Sequence, residues 1–260
     1  MQGSPRREET KRLRLKVAQH NCRGSNDAFI TLFHVVKNHD ISFVCVQDPP
    51  LYKGDPLKAQ GYECIFQKTE KVRVCTYISL RVVREISCVI LPCIDDVLYL
   101  RIFAKEGKRV GQSRSVSVVN AYNRRTEEGN SILAESLFRQ TNDPTIIVGD
   151  LNVHRSLTDP MRILSSSERR TGKTYMRTAA LCGYTILNTP GIYTRFPDNV
   201  MLHGPSVIHY SCANAAMFTK ISRWRDITQR ISSDYIAIVT KIDSEEIERA
   251  KPAPDWEKIK

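Results

Sequence analysis

The stretch TIIVGDLNVH, residues 145–154, decides how the fold is read, because a run of β-branched apolar residues ends in a carboxylate and an amide. β-branched residues favour strands, so the run predicts a buried strand. Asp150 and Asn152 are two positions apart, and an extended chain turns both side chains to one side. Such a pair suits a binding or catalytic site, although Asp and Asn also end strands as ordinary turn residues.

Further strands and a few helices are predicted along the rest of the chain. LRLKVAQHN (13–21), a helical pattern with Ser25 or Asn26 as N-cap, and ISFVCVQDPP (41–50) predict a β-α-β opening. Short apolar runs between residues 62 and 104 predict an antiparallel meander. The remaining predicted elements are helices at 127–140 and at 172–183, the latter with Gly183 as C-cap, and strands at 115–122, 184–188, 206–214 and 233–242.

The charge balance predicts a polyanionic partner. The 260 residues include 39 Lys and Arg against 28 Asp and Glu, a net charge of +11, which favours nucleic acid or an anionic surface. No apolar run approaches the roughly 20 residues of a membrane span, and the N-terminal residues lack the hydrophobic segment of a signal peptide. We expect a nuclear or cytoplasmic protein that is not secreted and has no membrane partner, with its eight cysteines reduced.

One domain accounts for most of the chain. The sequence contains no internal repeat, and no linker rich in Pro, Gly or Ser precedes about residue 243. We therefore predict a basic lead at 1–12, a single domain at 13–242, and a charged tail or linker at 243–260.

Several predicted strands end in residues that can bind a metal or a phosphate. Polar groups at strand ends let a rigid sheet hold a site open to solvent. Taken singly, each of them also fits an ordinary turn residue. The candidates are Asn21, Asp48, Tyr122, Asp150 with Asn152, and Asp234.

The order of these motifs resembles the endonuclease/exonuclease/phosphatase superfamily, and within it the endonuclease domain of LINE-type, non-LTR retrotransposons. The resemblance covers roughly residues 13–242, with Gly-Asp-x-Asn at its centre. The matching segments, in family order, are VAQHNCRG, VCVQDPP, NAYN, VGDLNVH, YTRFP, GPSVIHYSCAN and SSDYIAI.

The resemblance implies an α/β fold, a four-layer α/β sandwich of two packed mixed β-sheets flanked by helices. It also implies cleavage of DNA phosphodiester bonds with Mg²⁺, or with Mn²⁺ in its place. Asp48, Asn21 and Asp234 would hold the cation. Mg²⁺ keeps several waters and takes one or two carboxylates, so a site with few protein ligands is expected.

The same resemblance assigns roles to the other candidates. Asp150 would orient or deprotonate the attacking water, Asn152 would hold the scissile phosphate, and Tyr122 would donate to the phosphate or the leaving oxygen. Fixed donors and a cation act there on the charge that develops at phosphorus. His20, beside the first motif, is a candidate to line the cleft. The expected substrate contacts are Asn21, Thr194, Ser233 and His154.

Three positions depart from the family pattern. Asp48 stands where the metal-binding residue is usually Glu, and Tyr235 replaces the His of the terminal Ser-Asp-His. His209 replaces the Asp that orients that His. A phenol with a pKa near 10 donates only a neutral hydrogen bond at pH 7, whereas an imidazole can move a proton. Loss of a general acid–base group costs about 10² to 10⁴ in rate, so activity is expected to be impaired.

Two functions stay open after these observations, and a third is disfavoured. The first is a metal-dependent DNA-nicking endonuclease, which a reverse transcriptase module would accompany in a full-length element. The second is a catalytically inactive nucleic-acid-binding relic of the same fold. A phosphomonoesterase or lipid phosphodiesterase is the third, and the retroelement-like QDPP and GPSVIHYSCAN argue against it.

Overall fold

The computed structural model describes residues 14–94, 96–104, 115–126, 129–159, 162–197, 204–227 and 234–243. The predicted lead at 1–12, Ser233 and the tail beyond Asp243 lie outside the described residues. The helices and strands in chain order are β1 (Arg14–Asn21), α1 (Asn26–Lys37), β2 (Phe43–Gln47), β3 (Leu51–Tyr52), β4 (Asp55–Pro56), β5 (Tyr62–Ile65), β6 (Val74–Ser79), α2 (Leu80–Val83), β7 (Ile86–Leu91), β8 (Val97–Ala104), β9 (Val116–Tyr122), β10 (Arg125–Thr126), β11 (Gly129–Asn130), α3 (Ala134–Leu137), β12 (Thr145–Asp150), α4 (Ser166–Leu181), β13 (Tyr184–Ile186), β14 (His209–Asn214), α5 (Ala215–Phe218), β15 (Ile221–Asp226) and β16 (Ile238–Asp243).

Two mixed sheets of six strands each form the centre of the fold. The first sheet has the order β15-β16-β1-β2-β6-β5, and the second has the order β13-β14-β12-β9-β8-β7. Each sheet contains one central parallel pair, β1 with β2 and β9 with β12, and its other neighbouring strands are antiparallel. The C-terminal ends of β1 and β12 therefore lie at the middle of their sheets, where a site can be surrounded on all sides.

Apolar packing joins the two sheets and covers their outer faces. Between the sheets, Phe43 belongs to the same buried cluster as Ile146. Phe29 of α1 belongs to a second cluster with strands of the first sheet. Leu137 of α3 and Tyr175 of α4 belong to a third cluster with strands of the second sheet. These three interfaces separate four layers, so the predicted four-layer α/β sandwich is confirmed.

Buried hydrogen bonds replace apolar contacts between the sheets toward the C-terminal ends of β1 and β2. Gln19 donates to the hydroxyl of Ser211 at 2.8 Å, and Gln47 donates to the side-chain oxygen of Asn120 at 2.6 Å. All four residues are buried. Because a buried polar group that loses its partner is costly, these bonds fix how the strand ends of one sheet face those of the other.

Most of the predicted elements are present. The β-α-β opening is confirmed, and the side chain of Ser25 caps α1 by accepting a hydrogen bond from the backbone N–H of Ala28 at 3.2 Å. Gly183 follows the end of α4 with a φ of +77°, as the predicted C-cap requires. Among the described helices, none combines the length and hydropathy that a bilayer crossing demands.

Four predicted elements were wrong in extent or grouping, and one of them is the strand predicted at 233–242, which begins at Ile238. The helix at 127–140 is reduced to Ala134–Leu137, because Gly129–Asn130 pairs as a strand with Arg125–Thr126. The helix predicted at 172–183 begins at Ser166, where Ser165 and Glu168 form a capping box that the polar first turns concealed. The predicted meander is divided between the sheets, with β5 and β6 in the first and β7 and β8 in the second. The strand β15 was not predicted.

A glycine brings α4 against the loop that follows β12. Gly172 is buried in the middle of α4, and a Cβ built on it would collide with the backbone carbonyl oxygen of His154. Residues 151–155 include both Asn152 and His154, so this close approach positions part of the predicted site.

We expect Gly172→Ala to lower the free energy of unfolding by about 1–3 kcal/mol, because overpacking against backbone is hard to relieve. Alanine ordinarily stabilises a helix by about 1 kcal/mol relative to glycine. A decrease in the free energy of unfolding would therefore show that the collision outweighs this gain. Urea unfolding measures the change. Gly204→Ala is the control, since its Cβ would meet nothing within 4 Å; a stabilised Gly172→Ala variant would contradict the packing described.

Candidate active site

Asp150 is the centre of the candidate site. It ends β12 and accepts a hydrogen bond from the side-chain amide of Asn21, at the end of β1, over 2.8 Å. Its other carboxylate oxygen accepts the backbone N–H of Asn152 at 3.1 Å. Because β1 and β12 belong to different sheets, the two central strand ends meet at this carboxylate. Burial raises the pKa of Asp150, although these hydrogen bonds oppose the shift.

The glycine of the Gly-Asp-x-Asn motif allows this geometry. Gly149 has a φ of +151° and pairs with Ala121 of β9, whose backbone carbonyl a Cβ would strike. Asn152 follows with a φ of +50°, and its side-chain amide donates to the carbonyl oxygen of Asn123 at 2.9 Å. Asn152 also lines a cavity of about 490 Å³ beside α4. The chain is therefore not extended beyond Asp150, as the spacing of two had predicted, but turns there, with the backbone N–H of Asn152 donating to the Asp150 carboxylate.

Tyr122 and Asp48 approach the same centre from β9 and from the end of β2. Burial raises the pKa of the Tyr122 phenol, and the nearby carboxylates of Asp150 and Asp48 raise it further. A hydrogen bond with the side chain of Asn21 acts in the opposite direction. Asp48 pairs with Arg73, whose guanidinium nitrogen lies 3.1 Å from the carboxylate.

Asp234 is held between two arginines. One of its oxygens accepts from Arg23 at 2.9 Å and the other accepts from Arg195 at 3.2 Å. The Asp234 side chain is 3% exposed, whereas that of Arg23 is 55% exposed. The backbone N–H of Arg23 donates to the side-chain oxygen of Asn21 at 2.8 Å, which links the pair to the Asp150 centre.

His209 and Tyr235 are neighbours, as expected for two positions that form one functional pair. Their rings meet edge to face with centroids 4.8 Å apart. His209 Nδ1 lies 3.3 Å from the carbonyl oxygen of Thr194, so it donates there, and Nε2 lies 3.7 Å from Asp150 Oδ2. Burial lowers the pKa of His209 and raises the pKa of Tyr235. Both side chains are therefore favoured in their neutral forms.

Two predicted substrate contacts are engaged within the protein. The Thr194 hydroxyl accepts the backbone N–H groups of Ile208 and His209 at 3.0 and 3.1 Å, so it shapes the strand that carries His209. His154 lies 3.2 Å from Asp159 through Nδ1, and it lines the cavity that Asn152 also lines. Ser233 lies outside the described residues.

The predicted cation ligands fit a divalent ion poorly. Both oxygens of Asp234 accept from arginines, one oxygen of Asp48 does so, and the side-chain oxygen of Asn21 accepts from backbone. The assignment of Mg²⁺ or Mn²⁺ stays a prediction.

The arginines were the residues that sequence reasoning missed. Arg23 and Arg195 lie within the quoted motifs VAQHNCRG and YTRFP, and Arg73 begins the run RVCTYISL. Their position beside motif residues was the available signal. Sequence gives no sign of which carboxylate each would pair with, because the partners are 25 to 211 positions away.

Comparison with known proteins settles the fold. The endonuclease domain of TRAS1, a telomere-specific non-LTR retrotransposon, superposes with a TM-score of 0.65 and 16% identity over 89% of this chain and 100% of that one. The AP endonuclease LMAP from Leishmania major gives 0.69 and 13% identity over 89% and 88%. An endonuclease/exonuclease/phosphatase family protein from Leptotrichia buccalis C-1013-b gives 0.57 and 10% identity over 88% and 100%.

This chain has the endonuclease/exonuclease/phosphatase fold. The resemblance predicted from the motifs is thus confirmed in three dimensions, including the likeness to a retrotransposon endonuclease domain. No protein-family model and no curated protein sequence matches the chain. At identities of 10–16% the solved structures show the fold alone. In this fold the site described above lies where the central strands of both sheets end.

His20, which the sequence placed beside the cleft, is completely buried. Neither of its ring nitrogens has a hydrogen-bond partner among the described residues. Burial lowers the pKa of His20 to about 3, and a positive charge on His209 would lower it further. Because the unfolded chain takes up this proton at a higher pH than the folded chain, acid favours unfolding.

We expect the free energy of unfolding to fall as the pH decreases from about 6.5 toward 3, by about 1.4 kcal/mol per pH unit for His20 alone. His20→Leu removes this contribution, so its stability should differ less between pH 7 and pH 5 than that of the wild type. In this variant His209 still makes the free energy of unfolding fall with decreasing pH, so some pH dependence remains. Urea unfolding at the two pH values tests this, with the exposed His34→Gln as control. An unchanged slope in His20→Leu would contradict it.

Proposed function

We propose that this chain binds DNA at the site where the strands end and hydrolyses phosphodiester bonds weakly or not at all. The observation that carries the proposal is the buried contact of His209 with Tyr235 beside Asp150. In the family that the sequence resembles, an Asp and a His occupy these two positions. The exchange leaves the fold intact and changes the acid–base chemistry.

His209 is not placed to act as the general acid or base that a His at position 235 would provide. Its ring is 1% exposed, Nδ1 is turned to a backbone carbonyl, and Nε2 faces the Asp150 carboxylate. A general base must come within hydrogen-bond reach of the proton that it takes. The Tyr235 phenol, with its pKa raised by burial, can donate a hydrogen bond at neutral pH but cannot accept a proton.

DNA binding is supported by the charge of the chain and by its neighbours. The net charge of +11 favours phosphate backbones. Arg23 is exposed at the site, and Arg73 and Arg195 are half-buried there. Two of the solved neighbours are endonucleases by name, one of them from a retrotransposon. A basic chain with this fold suits a nucleic acid better than a small phosphoester.

A second candidate function is a Mg²⁺- or Mn²⁺-dependent DNA-nicking endonuclease, nuclear or cytoplasmic, in which a reverse transcriptase module would be the partner. The observation that favours it is the intact network of Asn21, Asp150 and Asn152. Its cation would have to compete with Arg73 for Asp48.

Nicking of supercoiled plasmid DNA in Mg²⁺ and in Mn²⁺ distinguishes the two. We expect the wild type to nick at least about 100-fold more slowly than the double variant His209→Asp with Tyr235→His, which restores the acid–base pair. Adding Asp150→Asn to the double variant should abolish its nicking, because the substitution keeps the shape of the side chain and removes its charge.

Two results would contradict the proposal. Wild-type nicking that matches the double variant and is lost in Asp150→Asn would establish the endonuclease. Absence of DNA binding by the wild type, measured on the same plasmid by mobility shift, would remove the binding function. Circular dichroism and the thermal midpoint of each variant show whether it is folded.

A further inference from the structure

Two of the three aspartates of the site pair with arginines within the described residues. Asp48 pairs with Arg73, and Asp234 pairs with both Arg23 and Arg195. Asp150 lies 3.7 Å from Nε2 of His209. The three arginines carry as many positive charges as the three carboxylates carry negative ones. Mg²⁺ needs one or two carboxylates that are free to coordinate it, whereas those of Asp48 and Asp234 accept hydrogen bonds from arginines.

We propose that arginines take the place of the divalent cation, and that Arg23 and Arg195 bind a backbone phosphate of DNA without Mg²⁺. The inference rests on the proposed DNA-binding function and names the groups that contact the phosphate. It concerns the same site, where the cation fits poorly.

Asp234 holds the two guanidinium groups in place. Its side chain is buried, and each of its oxygens accepts from a different arginine. Arg195 also lies over the Tyr235 ring, with 5.9 Å from the guanidinium carbon to the ring centroid. Groups locked by such contacts bind with little loss of conformational freedom. Asp234 therefore holds two arginine groups in place, whereas the resemblance expects it to hold a cation.

The two arginines remain able to bind phosphate while they pair with Asp234. A guanidinium carries five N–H donors in a planar fork that matches phosphate oxygens. Arg23 reaches Asp234 through one terminal nitrogen, and its side chain is 55% exposed. Arg195 uses its Nε and is 33% exposed. Both arginine side chains thus pair with a buried carboxylate and are partly exposed to solvent.

Arg73 disfavours a cation at Asp48. The side-chain contact of 3.1 Å is supported by a backbone bond of 2.8 Å, in which the N–H of Asp48 donates to the carbonyl of Arg73. Both side chains are 22% exposed, so solvent screens the guanidinium charge only in part. A cation bound to Asp48 would lie beside that positive charge and be repelled by it.

Fluorescence anisotropy with a short fluorescein-labelled DNA duplex tests the inference. We expect wild-type affinity to be the same within about two-fold in excess EDTA and in millimolar Mg²⁺ at equal ionic strength. Arg23→Gln should weaken binding by about ten-fold in both buffers and reduce the salt slope by about one. Asp234 keeps Arg195 as a partner in this variant.

The matched control is Arg81→Gln. Arg81 pairs with Asp40 at 2.9 Å and is 59% exposed, close to the exposure of Arg23. It precedes β7 and lies beside the end of α1, away from Asp150, so its loss should change the affinity by less than about two-fold. Equal weakening in the Arg23 and Arg81 variants would show a general charge effect and overturn the assignment.

The remaining outcomes separate this inference from the proposed function. Tight binding in Mg²⁺ that EDTA abolishes would overturn the arginine assignment and leave DNA recognition standing. Absence of binding in both buffers would overturn the proposed function as well.

Electron paramagnetic resonance of Mn²⁺ supplies a readout without DNA. We expect Mn²⁺ to remain unbound in the presence of the wild type. The Arg73→Gln variant removes the partner of Asp48, so it should bind Mn²⁺ more tightly. Stoichiometric Mn²⁺ uptake by the wild type would contradict this.

Discussion

The hydrogen bond between Asn21 and Asp150 joins the two sheets at the point where their central strands end, and the rest of the site depends on it. Below it, the inner faces of the sheets are held together first by apolar contacts and then by the buried bonds of Gln19 and Gln47. These polar bonds leave little freedom in how the sheets face each other. The strand ends are thus brought together before any ligand binds.

Charge balance determines what such a rigid site can do. In this site the carboxylates of Asp48 and Asp234 are paired with arginines, which leaves fewer oxygen ligands free for a cation. On our proposal, His209 and Tyr235 also weaken hydrolysis, because both rings are buried and their neutral forms are favoured. Recognition of phosphate and loss of hydrolysis have, on this proposal, one electrostatic cause.

The sequence predicted those features that local pattern determines. Alternation and β-branched runs predicted β1, β2, β9 and β12, whereas the left-handed turn at Asn152 was not predicted. Prediction from sequence failed where the structure depends on pairing between segments that local pattern does not relate. Gly129–Asn130 became a strand through its hairpin partner, and the arginine pairs join residues from distant parts of the chain. The burial of His20 was not predicted, because the alternating run LRLKVAQHN ends in polar residues, which suggested a strand end open to the cleft.

A crystal structure of the protein with a short DNA duplex, grown in Mg²⁺, tests the central claim most directly. We expect a backbone phosphate to accept hydrogen bonds from Arg23 and Arg195, with Arg73 still paired to Asp48. A Mg²⁺ ion bridging Asp48 and the phosphate, with Arg73 displaced, would contradict the claim that arginines replace the cation and would restore the metal-dependent nuclease as the better description.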